Sequence, residues 1–392
     1  MNRPFFIHIF MIWLLSFAGT VAISAQEDFR ILCGPYLQNV GEKETTVVWI
    51  TNRKAVSWVE IAPDDSLNFY AEERPRFFQT NFGKKRIGTV HAVRVTGLRK
   101  GTSYRYRIYS KEVIDETPYF VQYGKVAASD VYTRKPYRFT TLDYAKQKTS
   151  FAVVNDIHAD HKTFSALMET QQGKKLDFVI FNGDMLSNMS SEEQLIEGFL
   201  KQAVQLFATE TPLFYVRGNH ETRGLFSPQY IRYFPTSTGQ PYYAFRQGPA
   251  FFVVLDGGED KPDNDIEYHG LADFDAYRAQ EVSWLEEVVN SEAFKQAPVK
   301  IAVIHVPPVG STWHGPLEVK KYFLPILNKA GIRVMLCAHL HQYKYIPPGE
   351  EGNEFPILIN SNQHLLETDV SGDSIRVLMK DTEGKVYKTF NF

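Results

Sequence analysis

The sequence has 392 residues, of which 44% are hydrophobic and 14% aromatic. This composition excludes a disordered or collagen-like chain, and the length predicts two or three globular domains of roughly 100 to 200 residues each. Lysine and arginine, 43 in all, nearly balance the 45 acidic residues, so the formal net charge is −2. We therefore expect no nucleic-acid partner, because such proteins usually carry a basic surface. A specific function therefore has to come from local groups of residues and not from the overall charge.

The N-terminus has the pattern of an export signal. Arg3 is followed by no charged residue until Glu27, and the stretch Phe5–Ala22 is dominated by large apolar residues. The small residues Ser24 and Ala25 provide a cleavage site, so we predict that residues 1–25 are a signal peptide. The mature protein would then be periplasmic or extracellular, with no stable membrane span. The alternative is a retained anchor, since the apolar run is nearly long enough to cross a bilayer.

The cysteine content is low for an exported protein. Only Cys33 and Cys337 are present, about three hundred residues apart. Cys337 ends an apolar run, Val334–Cys337, which favours a free buried thiol, with a disulfide between the two as the alternative.

Residues 28–142 are predicted to form an antiparallel β-sandwich, because apolar and polar residues alternate there with period two. The segment Leu98–Tyr104 resembles the corner of a fibronectin type III domain, a resemblance that implies a hydroxyl tie from Tyr104 back to the loop. Four aromatic residues of this region are expected to pack on the sandwich, with reach toward a neighbouring site as the alternative: Tyr119, Phe120, Tyr123 and Tyr132.

Residues 150–392 are predicted to form an α/β domain with a layered sheet, because short apolar runs alternate there with helical spacing. The predicted strands are 150–155, 177–182, 212–217, 250–256 and 299–305, and helices are expected around 164–168, 195–207 and 280–289. Ser190 and Glu193 suggest a capping box for the second of these helices.

Polar residues of metal-ligand type follow five of the apolar runs. They are Asp156 and His158, then Asp184, then Asn219 and His220, then His305, and finally His339 and His341. Each alone is better explained as a turn or a core residue. Ligands of open α/β sheets, however, bind at the carboxyl ends of strands, so five such ends can converge on one point. Together they predict a metal centre.

In these motifs the chain resembles the calcineurin-like metallophosphoesterases, in particular the purple acid phosphatase branch with its fibronectin-type domain. Gly34–Gln38 and Gln280–Leu285 also match that branch. The resemblance implies two divalent ions of Zn, Mn or Fe, bridged by Asp184. The first ion would be held by Asp156, His158, Asp184 and His341, and the second by Asp184, Asn219, His305 and His339.

The resemblance also implies a reaction. A metal-bridging hydroxide would attack the phosphorus of an anionic ester, and His220 would hydrogen-bond the phosphoryl group or protonate the leaving oxygen. For His220 the alternative is a purely supporting hydrogen bond. Arg223 would clamp a phosphate oxygen, with an exposed salt bridge as the alternative. Purple enzymes have Gly at the position of His158 and Tyr at that of Ser187, so we predict a colourless centre of two divalent ions.

We therefore expect an exported dimetal phosphoesterase that acts on a phosphorylated small molecule. One alternative is a phosphodiesterase or nucleotide pyrophosphatase on the same fold. Another is a non-catalytic surface or glycan-binding protein with a degenerate site, although every ligand position is filled. The sequence indicates neither the natural substrate nor the oligomeric state.

Overall fold

The computed structural model describes residues 27–392. The predicted signal peptide, residues 1–25, therefore lies outside the described residues. Between residues 27 and 392, no helix combines the length and the apolar character that crossing a membrane requires.

The first part of the described chain is all-β. Its strands are β1 Ile31–Gln38, β2 Glu44–Pro63, β3 Arg76–Phe78, β4 Thr80–Asn81, β5 Lys84–Lys85, β6 Ile87–Thr96, β7 Ser103–Thr117, β8 Phe120–Ala128 and β9 Tyr137–Thr140. The long strand β2 pairs through its first half with β1, through its second half with β7 and β3, and from Glu44 to Val56 with β6. Sharing one strand between two groups in this way is consistent with a β-sandwich. Its core includes the fully buried Trp49, Val59, Tyr106 and Ile108.

The all-β part has the predicted tie of Tyr104 but not the predicted packing of its aromatic residues. The backbone N–H of Arg99 donates to the Tyr104 hydroxyl at 2.9 Å, which is the expected tie across the corner. The expected packing of the aromatic residues is wrong: Tyr119 and Tyr132 are almost fully exposed, and Phe120 is 62% exposed. For Tyr119 and Phe120 the reason is that β7 and β8 continue as a hairpin beyond Glu112, where the pairing of β7 with β2 ends. Tyr132 lies in the connection between β8 and β9.

The second part of the described chain contains two six-stranded sheets. The first has the order β12-β11-β10-β19-β20-β21 and the second the order β13-β14-β15-β16-β18-β17. The strands are β10 Lys148–Val154, β11 Phe178–Asn182, β12 Leu213–Val216, β13 Tyr243–Gln247, β14 Ala250–Val254, β15 Val299–Val303, β16 Val334–Cys337, β17 Lys344–Ile346, β18 Ile357–Ile359, β19 Leu365–Ser371, β20 Ser374–Lys380 and β21 Val386–Asn391. Strands β10 to β12 run parallel, as do β14, β15, β16 and β18.

Helices accompany these strands. The α-helices are α1 His161–Glu169, α2 Glu192–Leu195, α3 Lys201–Ala203, α4 Tyr230–Tyr233, α5 Phe274–Asn290, α6 Glu292–Lys295, α7 His314–Tyr322 and α8 Leu324–Lys329. Two π-helical turns, Ile196–Leu200 and Val204–Ala208, extend α2 and α3. The 3₁₀ turns are His220–Thr222, Ser227–Gln229 and Ile266–Tyr268. The N-cap of α2 is Ser191, whose side chain accepts from the Gln194 N–H, so the cap lies one residue after the predicted Ser190.

The two sheets pack face to face through aromatic side chains. Phe178 of β11 lies 5.1 Å from Phe151 on its own sheet and about as close, 5.2 and 5.3 Å, to Phe245 and Phe252 of the other sheet (ring centroids). Strands buried on both faces are continuous apolar runs, which is why the sequence showed them clearly. The packing brings the carboxyl ends of both parallel sets together at one edge.

The Gly34–Gln38 motif joins the all-β part to the α/β part. The Tyr36 hydroxyl donates to the Tyr233 carbonyl at 2.9 Å, and Gln38 Nε2 donates to the Leu213 carbonyl at 2.8 Å. Both side chains are buried. Cys33 and Cys337 are buried free thiols, as the sequence favoured.

Candidate metal centre

The candidate ligands all lie just beyond the carboxyl ends of parallel strands. Asp156 and His158 follow β10, Asp184 follows β11, Asn219 follows β12, His305 follows β15, and His339 and His341 follow β16. Three overlapping groups of side chains converge there, each with donor atoms within 4.8 Å of one another. They are Asp156 with His158 and His341, Asp184 with His305 and His339, and His158 with Asp184 and His220.

Five of the seven candidate ligands have a backbone conformation in the left-handed region. Asp156, His158, Asp184, His339 and His341 have φ values of 52°, 49°, 54°, 74° and 55°. The left-handed region is unfavourable for residues with a Cβ, by roughly 1–2 kcal/mol each. Such strain concentrates at functional sites, where the surrounding structure holds it in place.

The first group is organised around the buried carboxylate of Asp156. Its Oδ2 accepts hydrogen bonds from Asn155 Nδ2 at 2.7 Å and from the His339 backbone N–H at 3.1 Å. Its Oδ1 is buried without a hydrogen-bond partner and lies 3.3 Å from His341 Nε2. The Nε2 atoms of His158 and His341 are 3.2 Å apart. A buried carboxylate oxygen thus shares a small space with two imidazole nitrogens.

The second group is organised around Asp184, which is 1% exposed. Its Oδ2 lies 3.0 Å from His305 Nε2, and His305 Nδ1 donates to the Asn182 carbonyl at 2.7 Å. The bond to the carbonyl places the ring proton on Nδ1 and turns Nε2 inward. Burial opposes a positive charge on His305, but the nearby carboxylates, Asp184 first, raise the pKa of His305 to about 10.

The Asn219 side chain completes this second group. Its carboxamide oxygen lies 3.1 Å from His339 Nδ1 and faces Asp184 and His305 as well. An oxygen in that position meets only acceptor atoms, so either the amide is turned over or a cation lies among these atoms.

The residues fit divalent cations. The donor set consists of carboxylate and carboxamide oxygens with imidazole nitrogens, which suits Zn, Mn or Fe. The unpartnered Asp156 Oδ1 and the opposed lone pairs around Asn219 are both relieved by positive charge placed among them.

Glu221 is a supporting residue to which the sequence motif assigned no role. It is 1% exposed, and its carboxylate accepts hydrogen bonds from the backbone N–H groups of Asp184, Gly218 and Leu186 at 2.8, 3.0 and 3.2 Å. The Tyr215 hydroxyl donates to it at 2.8 Å. Burial, reinforced by Asp184, raises the pKa of Glu221. This one side chain ties the loop after β11 to the loop after β12.

Two glycines permit the close approach of these loops. A Cβ on Gly183 would lie 2.4 Å from His305 Nδ1, and a Cβ on Gly218 would lie 2.2 Å from Asp184 Oδ1. Any other residue at either position would displace a candidate ligand.

His220 and Arg223 lie beside this centre. His220 Nδ1 donates to the Ser187 carbonyl at 2.7 Å, so Nε2 is the atom left to face the site, 3.8 Å from Asp184 Oδ2. Arg223 Nε and one terminal nitrogen donate to Glu259 at 2.6 and 2.9 Å, and its other terminal nitrogen lies 3.5 Å from His220 Nε2. The salt bridge of Arg223 is therefore made to a buried carboxylate.

The loop after β14 contributes residues that sequence reasoning missed. Glu259 and Asp260 are buried, and Asp260 Oδ2 lies 3.9 Å from His339 Nε2. Their position shortly after a buried parallel strand was the available signal, because the other site residues occupy the same kind of position.

Comparisons with known proteins identify the family of the α/β part of the chain. A family model described as calcineurin-like phosphoesterase matches residues 149–343. No curated protein sequence matches the chain significantly.

Solved structures with a related fold include a purple acid phosphatase from yellow lupin (Lupinus luteus) seeds. It is 13% identical, with a TM-score of 0.64 over 91% of this chain and 73% of that one. At that identity the similarity establishes the fold alone.

Two further structures are 12% identical. For TT1561 of Thermus thermophilus the TM-score is 0.36, with 62% of this chain and 98% of that one covered. For the cold-active protein-tyrosine phosphatase of a Shewanella species it is 0.31, with 93% and 99% covered. TM-scores this low do not support a conclusion about the fold or the function of this chain. The family model spans the strand ends that present the clustered side chains, so residues 149–343 form a calcineurin-like phosphoesterase domain.

Proposed function

We propose that this protein is an exported dimetal phosphoesterase that hydrolyses a phosphate ester of a small molecule. The observation that supports it best is that side chains of metal-ligand type converge at the carboxyl ends of the parallel strands of both sheets, where the buried Asp156 Oδ1 has no hydrogen-bond partner. One ion would be held by Asp156, His158, Asp184 and His341, and the other by Asp184, Asn219, His305 and His339. Asp184 would be common to both.

When bound, the divalent ions supply Lewis acidity toward phosphoryl oxygens and a nucleophile at neutral pH. The chain's own residues bind and orient the ester. Two carboxylates, Asp156 and Asp184, only partly neutralise two divalent ions, so the site stays positive and attracts an anionic phosphate.

His220 and Arg223 form the proposed phosphate-binding side of the site. Since His220 Nδ1 donates to the Ser187 carbonyl, its Nε2 is free and, when protonated, donates to a phosphoryl or leaving oxygen. Arg223 is held at two nitrogens by Glu259, so only the nitrogen beside His220 is directed toward a phosphate oxygen.

We further propose that the centre is colourless. His158 offers a neutral imidazole, and Ser187, whose hydroxyl lies 3.3 Å from His158 Nδ1, has no phenolate to stabilise ferric iron. A charge-transfer band in the visible spectrum of the metal-loaded protein would refute this. Export would be tested by N-terminal sequencing of the protein secreted from its producing cell, with cleavage after Ala25 as the expected result.

The central experiment compares para-nitrophenyl phosphate with bis-para-nitrophenyl phosphate, with added Mn²⁺ or Zn²⁺. The Asp184→Asn variant serves as the inactive control, and bound metal is measured by elemental analysis in parallel. Faster hydrolysis of the monoester indicates a phosphatase, and faster hydrolysis of the diester indicates a phosphodiesterase. If two ions are bound and neither ester is hydrolysed, the proposal is wrong, and the result favours the alternative of a non-catalytic binding protein.

A further inference from the structure

His339 presents its two ring nitrogens to different partners. Nδ1 lies 3.1 Å from the Asn219 oxygen, on the side of Asp184 and His305. Nε2 points the other way, toward Asp260 Oδ2 at 3.9 Å. Within residues 27–392, no other acidic side chain lies within 4 Å of that Nε2 atom.

The Asp260 carboxylate is fixed by its surroundings. Its backbone carbonyl accepts from the Gly315 N–H at 2.9 Å, and its Oδ1 lies 3.3 Å from an Arg223 nitrogen. The preceding carbonyl, of Glu259, accepts from the fully buried Arg278. Asp260 itself is 4% exposed, which leaves Oδ2 directed into the protein on the side of His339.

Packing also holds this loop in place. A Cβ on Gly315 would lie 2.4 Å from the Glu259 carbonyl oxygen and 2.6 Å from Asp260 Cα, so α7 begins directly against the loop. The carboxylate is therefore too buried to contact a substrate, and any role in the reaction must act through a neighbour.

We propose that Asp260 is a positioning residue that accepts the Nε2 proton of His339 and so presents Nδ1 to the second ion. This inference rests on the proposed function. A neutral imidazole carries one proton, so coordination through Nδ1 requires that proton on Nε2. A carboxylate acceptor selects that tautomer, orients the ring and makes the coordinating nitrogen more basic. The present 3.9 Å is longer than a hydrogen bond, and such contacts in ligand-free sites shorten when the site is complete.

His305 provides an internal comparison. Its non-coordinating nitrogen, Nδ1, donates to the Asn182 carbonyl, and Nε2 faces Asp184. The two imidazoles of the second ion thus use opposite nitrogens, and each needs its own acceptor. Asn182 supplies one and Asp260 supplies the other.

The test measures metal affinity as well as turnover. Asp260→Asn keeps the size of the side chain and removes its charge, and Asp273→Asn is the matched control, an exposed carboxylate of the same loop region whose side chain forms no cap hydrogen bond. Zn²⁺ titrations by calorimetry should resolve two ions in the wild-type protein. We expect Asp260→Asn to lower the affinity for one ion by about 10- to 100-fold and to change the affinity for the other by less than about threefold.

Three outcomes would overturn the inference. The first is an unchanged affinity for both ions in Asp260→Asn, and the second is an equal loss of affinity for both ions. The third is the same loss of affinity in the control Asp273→Asn. Should Asp260→Asn fail to fold, Asp260→Ser, judged by the same titration, replaces it. If the wild-type protein binds two ions but hydrolyses no ester, the proposed function fails while the titration still decides the role of Asp260. If it hydrolyses esters and Asp260→Asn binds both ions normally, only the role of Asp260 is refuted.

Discussion

Removal of the Glu221 carboxylate should loosen two of the loops that carry candidate ligands. Replacement by alanine deletes four hydrogen bonds: three from the N–H groups of Asp184, Gly218 and Leu186, and one from the Tyr215 hydroxyl. At about 1 kcal/mol for each net hydrogen bond, Glu221→Ala should lower the free energy of unfolding by about 4 kcal/mol. Donors left buried without partners would increase that loss.

Glu221→Gln provides a sharper test of the same geometry. The glutamine oxygen can still accept from Asp184 and Gly218, and its amide can donate to the Tyr215 hydroxyl once that hydroxyl rotates. Only the Leu186 N–H loses its partner, so the expected loss is about 1–3 kcal/mol. Both variants should be measured by urea unfolding followed by circular dichroism, with Glu287→Ala, an exposed glutamate on α5, as the control. Equal losses for alanine and glutamine, or a loss below about 2 kcal/mol for alanine, would refute this account.

Three further predictions concern other parts of the molecule. Gly218→Ala should abolish binding of at least one metal ion in calorimetric titration, because its Cβ would lie 2.2 Å from Asp184 Oδ1; full binding would contradict the close approach of the two loops. Burial, with some help from Arg86, lowers the pKa of His91 to about 3, so the neutral ring stabilises the fold above pH 6.5 and that stability is lost as the pH falls. At pH 5.5 the loss relative to pH 7 should be about 1.3 kcal/mol, and it should be absent in His91→Gln when unfolding is measured at both pH values. Tyr36→Phe removes the buried hydrogen bond between the two parts of the chain and should cost about 1 kcal/mol in urea unfolding; an unchanged midpoint would show that this contact is not stabilising.

Much of the candidate site could be predicted because its residues occupy a repeated position in the sequence. Each follows an apolar run, and parallel strands buried on both faces necessarily end at the same edge. The sequence therefore indicated Asp156, Asp184 and His305 together. Which side chains are ligands in solution stays a prediction, to be decided by metal titration.

The residues that sequence reasoning missed act through contacts distant in the chain. Glu221 accepts from Asp184, thirty-seven positions away, and Asp260 faces His339 from a loop with no recognisable code. The exposed aromatic residues near Tyr119 were misjudged for a related reason. Alternation of apolar and polar residues predicts a strand but does not show whether a second layer of structure covers it. Here the hairpin of β7 and β8 extends beyond the end of the pairing between β7 and β2.

The sequence by itself determined the α/β class, the all-β region before it, and the order of the polar motifs at strand ends. These depend on local periodicity and on the fact that buried strands are apolar. Only the tertiary structure decided which nitrogen of each histidine faces the centre, which carboxylate is left without a donor, and how Glu221 and Asp260 support the loops. Those properties depend on distances of a few ångströms between segments far apart in the chain, and no local pattern encodes them.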